Sequence, residues 1–565
     1  MPVLERERRG VYLLACLVVL LAGAALHVWY LVDRCPLDLS GDEAHYWEWS
    51  RRLDLSYYSK GPLVAYIIAA GRLLLADWSQ QLVGSEALAV RSPAVVLSVF
   101  TGLGLAVLAL GATRRARTAL ATVALMCTVP IFAAGSMLMT IDAPLACLWV
   151  WTLVCVERAV RRKSSLAWII AGVLIALGIL AKYTMVLVYP VVGLWLLSDR
   201  DLRQQLKSPW PYVATAIGFA GFIPIVVWNA QHEWVSFRHV AGQAGITPTA
   251  RPGLPGIGAY IGGQLAVTGL VWGLGMWWAL VDLWRNPPPG CDTDTTRANT
   301  TRAQRLLLIA ASLPWLAFLL FSPFTKVQPN WPMLSILPAT ILLVIWLGRR
   351  LPAGGRQRRG AQALIAAGIL TGGGLVTVAH HTESLAGFFG WLSRGTPPLG
   401  LTSPAAPWDL TPIAKYDPTA RLRGWSQLGQ VVGVCLASER SAGRDPFILA
   451  DDYQVASEVA FYCPGAPEVY SAESVLGGRL SQYDIWPNPC RDPERFIGRP
   501  CIYVGALHPE LSTATSSGVT PLPGLRAVET VEYRLGNHPM QLWTIFAADQ
   551  FMGFDTPSAS ADRKY

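Results

Sequence analysis

Residues 39–66 read LSGDEAHYWEWSRRLDLSYYSKGPLVAY, an acidic and aromatic stretch between two apolar segments. It gathers a carboxylate pair, Asp42 and Glu43, the rings of Tyr46, Tyr57 and Tyr58, and the cation of Lys60. A carboxylate here can take the proton from an attacking hydroxyl. A lysine can hold a departing phosphate, which leaves as a stable anion and needs no general acid. The rings offer faces to a sugar or an isoprenoid chain. Three more ionisable residues recur at breaks in apolar sequence: Asp142 after Met139-Thr140-Ile141, Lys182 before Tyr183, and Lys326 in the turn SPFTKVQPNWP. They add a third carboxylate and two further candidate phosphate ligands.

The elements that must position these residues are membrane helices. Of 565 residues 52% are hydrophobic and 15% charged, with a mean hydropathy of +0.37. A soluble domain carries about 25% charged residues. Eleven apolar stretches approach the length needed to cross hydrocarbon: about 11–31, 88–112, 118–136, 143–157, 165–181, 183–197, 211–229, 257–284, 305–322, 331–347 and 361–379. The first has no small-residue cleavage site after it and reads as a retained anchor. The net charge of +9 lies largely in short loops between spans, which the positive-inside rule explains, so nucleic acid is not an expected partner.

With the N-terminal ERERR taken as cytoplasmic, every basic cluster falls on one side: Arg114, Arg115 and Arg117; Arg158 to Lys163; Arg200, Arg203 and Lys207; Arg285 to Arg305; and Arg349 to Arg359. This agreement requires that 62–76 does not cross, being too short, and that 166–197 breaks at Lys182. The parts expected outside are the loop 32–87, the hinge at Asp142, the break at Lys182, the loop 230–256, the turn 322–332 and everything after about 380.

The expected fold class is therefore mainly α: a polytopic membrane helical bundle over 1–380 with the outer loop 32–87, and a soluble extracytoplasmic α/β or α+β domain over 381–565. In the latter, PFILA (446–450), CIYVGA (501–506), TVEYRL (530–535) and MQLWTIF (540–546) read as strands, and 451–462 has helical spacing. Cys435, Cys463, Cys490 and Cys501 suggest two disulfides in an oxidising compartment. They contain no C-x-x-C pair, and the sequence indicates no metal or other cofactor.

No charge falls in the middle of an expected span, which counts against transport. Outside the cell there is no nucleotide-activated donor, so a transferase there needs a donor such as a sugar on a polyprenyl phosphate. The stretch around Asp42 resembles the first outer loop of the GT-C glycosyltransferases, in particular bacterial protein O-mannosyltransferase-like enzymes and lipid A aminoarabinose transferases. The family's Lys-Pro-Pro-Leu is here Lys60-Gly61-Pro62-Leu63, and Thr140-Ile141-Asp142-Ala143-Pro144 is similar to its second outer loop. The resemblance implies Asp42 as base, Asp142 as a supporting carboxylate, Lys60 as a phosphate ligand, and inversion at the anomeric carbon.

Each residue also has a structural alternative. Ser40 and Asp42 are good helix caps; Lys60 could snorkel to headgroups; Asp142 could cap a helix; Lys326 could anchor at the interface beside Trp331; and a hinge explains Lys182. The expected function is transfer of a hexosyl or pentosyl group from a polyprenyl-phosphate donor to an extracytoplasmic lipid or envelope glycan, in a bacterial inner membrane. A protein Ser/Thr acceptor is the alternative, and a flippase of lipid-linked sugars is the alternative of another class.

Overall fold

The computed structural model describes residues 3–243, 253–286, 295–394, 409–410, 412–514 and 518–554. The chain forms two compact units. The first comprises Met1–Arg34, Lys60–Ile67 and Arg91–Thr377; the second comprises Cys35–Ser59, Ile68–Val90 and Val378–Tyr565.

The protein is a multi-pass membrane protein, mainly helical. Among the described residues seven helices are long and apolar enough to cross: Arg9–Arg34, Ala87–Thr113, Asp142–Arg162, Trp210–Gln231, Arg297–Phe321, Met333–Ala353 and Gly355–His380. Three of the eleven expected spans are shorter helices, Ala116–Met126, Ser165–Ala181 and Tyr183–Leu197. Pro130 opens a separate short helix, Pro130–Gly135, because proline fits the first turn of a helix but not its interior. The expected single span 257–284 is broken. Helices Leu254–Thr268 and Leu270–Arg285 meet at 108°, with Gly269 at φ +78, a conformation glycine adopts without steric cost. Counting that pair as one span gives eight crossings by length and composition.

A tight helical hairpin sets the positions of two candidate residues. Helix Asp142–Arg162 ends at Lys163, which is left-handed at φ 51, and Ser164 caps helix Ser165–Ala181 by accepting a hydrogen bond from the Ala167 amide. Since the turn lies at one end, Asp142, opening the first helix, and Lys182, closing the second, must lie at the other.

In the second unit, strands β1 (Asp409–Leu410), β2 (Phe447–Ala450), β3 (Val469–Ser471), β4 (Cys501–Val504), β5 (Arg526–Leu535) and β6 (His538–Ala548) form a mixed sheet. Its order is β1-β6-β4-β2-β3, with β5 also pairing β6. β2 pairs in parallel with β3 and β4, and all four of its residues are buried, as an interior strand requires. β5 carries Arg526, Glu529, Glu532 and Arg534 and is mostly exposed, the charge pattern of a protected edge. The four strands and the helix expected from sequence are present, the helix over Tyr453–Tyr462; the helix Trp425–Ser441 and β3 were not anticipated.

The disulfide expectation is corrected: Cys435, Cys463, Cys490 and Cys501 are all free thiols. Cys490 and Cys501 sit in the apolar cluster under the sheet, where they pack as small hydrophobes, and burial pushes both thiols well above their ordinary range.

Candidate active site

In the second unit the helix Gly41–Arg51 packs on the helix Tyr453–Tyr462. A side chain at position 41 would meet Gln454 Cβ at 2.8 Å, so the approach needs Gly41. His45 is buried between them, its Nδ1 3.0 Å from Ser457 Oγ and its ring 5.0 Å from that of Tyr453. Burial, reinforced by the Arg479 charge, pushes His45 down to about 3, so it is a neutral packing residue.

The structure separates the two carboxylates that sequence left as a pair. Glu43 is fully buried in a capping box: its Oε2 accepts from the Ser40 amide at 3.0 Å, and Ser40 Oγ accepts from the Glu43 amide at 3.2 Å. Glu43 thus holds the helix start. Asp42 is exposed; its Oδ1 accepts a hydrogen bond from Tyr453 Oη at 3.4 Å.

Tyr453 is held in turn. Gln454 Nε2 donates to its hydroxyl at 3.0 Å, and the Arg479 guanidinium lies 4.5 Å over its ring. Glu473 accepts from the Tyr453 amide at 3.4 Å and lies 3.9 Å from Arg479 Nε. Burial, with the nearby Asp452, pushes Glu473 up to about 8; burial also raises Asp452 to about 6 although it caps the helix through Gln454 and Val455. Asp42 therefore has beside it a phenol donor and a stacked guanidinium. Neither Tyr453 nor Arg479 was singled out from sequence as a partner of Asp42.

The three tyrosines expected to face sugar or lipid are buried. Tyr57 is fully buried, stacked 4.3 Å from Trp49, and its hydroxyl donates to the carbonyls of Trp49 and Arg52. Tyr46 packs 5.0 Å from Trp49, and the Tyr58 amide donates to Gln482 Oε1 at 2.7 Å. All three are core residues of this unit.

In the first unit Lys182 Nζ donates to Asp142 Oδ1 at 2.7 Å, and Asn330 Nδ2 donates to Asp142 Oδ2 at 2.6 Å. Asp142 and Lys182 are both buried. Sequence supplied the two charges but not their pairing, and it missed Asn330, four residues after Lys326 in the same turn. Lys326 itself is exposed. Lys60 is half-buried and precedes Gly61, whose backbone lies against the Leu180 carbonyl; an added Cβ would come within 2.2 Å of that oxygen. This is main chain against main chain, so Gly61→Ala is expected to lower the thermal unfolding temperature in detergent by several degrees, and an unchanged melting curve would show that the segment can shift. Lys60 and Lys182 thus sit on segments joined by the Gly61–Leu180 contact.

Among the described residues no group of His, Cys, Asp and Glu is arranged to hold a metal ion.

The fold is similar to that of the membrane protein ArnT. The chain superposes on the crystal structure of ArnT from Cupriavidus metallidurans bound to undecaprenyl phosphate with a TM-score of 0.56, covering 94% of this chain and 97% of that one at 17% identity. Residues 59–228 match the family model described as dolichyl-phosphate-mannose-protein mannosyltransferase. A curated relative, the lipid A galacturonosyltransferase RgtD of Rhizobium johnstonii, is 27% identical over 324 residues; that alignment spans 56% of this chain and 62% of the relative's length. The resemblance to GT-C glycosyltransferases read in the sequence is borne out.

Proposed function

We propose that the protein is an inverting glycosyltransferase that moves a sugar from a polyprenyl-phosphate donor to an extracytoplasmic lipid or envelope glycan. The observation that carries this reading is the division of labour at the outer-loop helix. Capping is done by Ser40 and Glu43, which leaves Asp42 exposed with an unspent oxygen, the state a general base needs. One carboxylate acting as base fits a single displacement with inversion; retention by double displacement needs a second carboxylate as nucleophile. Asp142, with its oxygens held by Lys182 and Asn330, is given a positioning role instead.

In this mechanism Asp42 accepts the proton of the acceptor hydroxyl as its oxygen bonds to the anomeric carbon. The bond from that carbon to the phosphate oxygen breaks, and the polyprenyl phosphate leaves as an anion stabilised by Lys60. Tyr453 and Arg479 hold Asp42 in position. Asp142 fixes Lys182 and orders the segments around it, a positioning role. Lys326, exposed in its turn, is a further phosphate ligand. The N-terminus is cytoplasmic and the C-terminal part, 381–565, lies outside, in a bacterial inner membrane.

The likeness to a lipid A galacturonosyltransferase favours a lipid acceptor, whereas the mannosyltransferase family model favours a protein hydroxyl. Mass spectrometry of envelope glycolipids from a deletion strain separates them. The expected result is loss of one sugar mass from a lipid, restored by the intact gene. Unchanged glycolipids with lost protein glycosylation would transfer the reading to a protein acceptor, and no lost glycan of either kind would refute transfer.

A further inference from the structure

The helix Met333–Arg350 carries Asn330 just before one end and Arg349 at the other, about 27 Å apart at 1.5 Å per residue. At the Arg349 end the first unit contains a cavity of about 850 Å³, separate from the Asp142–Lys182–Asn330 cluster. This is within the range of ligand pockets, roughly 300–1,000 Å³. Its inner wall is apolar, with Trp272, Ile345 and Ile365, and its mouth carries Arg115, Arg117 and Arg349. Among the described lining residues none is acidic.

The three arginines are not equivalent. Arg349 is fixed, donating to Gln304 Oε1 at 3.0 Å and to the Asn286 carbonyl at 3.3 Å. Arg115 and Arg117 are exposed, and neither guanidinium has a hydrogen-bond or ion-pair partner among the described residues. Deep in the wall, Trp272 is 2% exposed and its indole Nε1 has no hydrogen-bond partner among the described residues. A buried donor without an acceptor costs free energy unless a bound group supplies one, as the ester carbonyl at the head of a glycerolipid acyl chain would. An apolar chamber with a cationic mouth at a helix-bundle end matches an amphiphile with a phosphate head and hydrocarbon tails.

We infer that this cavity, lined by Arg115, Arg117, Arg349 and Trp272, binds an anionic phospholipid, its phosphate at the arginines and part of an acyl chain inside. The site lies wholly in the first unit and does not depend on the proposed reaction. A free phosphate shares the head-group chemistry but would not need the apolar wall.

Native mass spectrometry of the full-length protein in detergent, titrated with phosphatidylglycerol, phosphatidylcholine or inorganic phosphate, tests this. The expected result is one tightly retained phosphatidylglycerol per chain, weakened roughly tenfold in Arg115→Gln/Arg117→Gln and in Ala124→Phe, which fills the chamber. Arg356→Gln/Arg358→Gln, outside the lining, should retain it at wild-type strength. Equal retention of phosphatidylcholine, equal loss in the control variant, or displacement by inorganic phosphate would each overturn the assignment; the last would mark a simple phosphate site. Retention unchanged in both lining variants would likewise end it.

Discussion

Asp42→Asn is expected to lower sugar transfer by about 10²–10⁴-fold, the range contributed by a positioned general base. The substitution keeps the size of the side chain and an oxygen that can still accept from Tyr453, so the helix start should survive. Glu43, the adjacent carboxylate, cannot take over, because it is buried in the capping box with Ser40. Binding of the polyprenyl-phosphate donor should change little, since the phosphate is assigned to lysines. Rates on purified enzyme, with donor affinity measured in parallel, check both halves. An Asp42→Asn enzyme that keeps more than a tenth of its rate would remove Asp42 as base; one that loses donor binding equally would make it a ligand.

The second large effect concerns stability. Lys182→Met leaves Asp142 buried with Asn330 alone, and removing one member of a buried pair costs about 3–5 kcal/mol. The double variant Lys182→Met/Asp142→Asn should recover most of that loss, because no uncompensated charge remains. Unfolding followed in detergent for the two single variants and the double closes the cycle. Additive losses would show that the contact at 2.7 Å carries no coupling. If the double variant is stable yet slow, the pair also serves the reaction; stable and fast would make it structural only.

Much of the membrane unit was legible because hydrocarbon leaves helices few alternatives: apolar length alone locates them. What length cannot show is a break by one residue. Gly269, one of many glycines, turns an expected span through 108°, and nothing beside it in sequence marks it out. Charges at helix ends were legible for the same reason, so Asp142, Lys182 and Asp42 were all singled out as candidates. Their partners were not. Tyr453 is 411 residues from Asp42, and Arg479 lies in an unremarkable loop. The tyrosines and cysteines failed differently. Residue type says that a ring or thiol suits a ligand or a bridge, but the same atoms suit packing, as Tyr57 on Trp49 and Cys501 within the sheet core demonstrate.

The stretch 35–59 is encoded near the start of the chain yet belongs to the same unit as Val378–Tyr565. During synthesis the segment bearing Asp42 must therefore wait, without its final neighbours, until ribosomes have made several hundred more residues. Premature termination after the last span would leave every membrane helix in place and still deprive Asp42 of Tyr453.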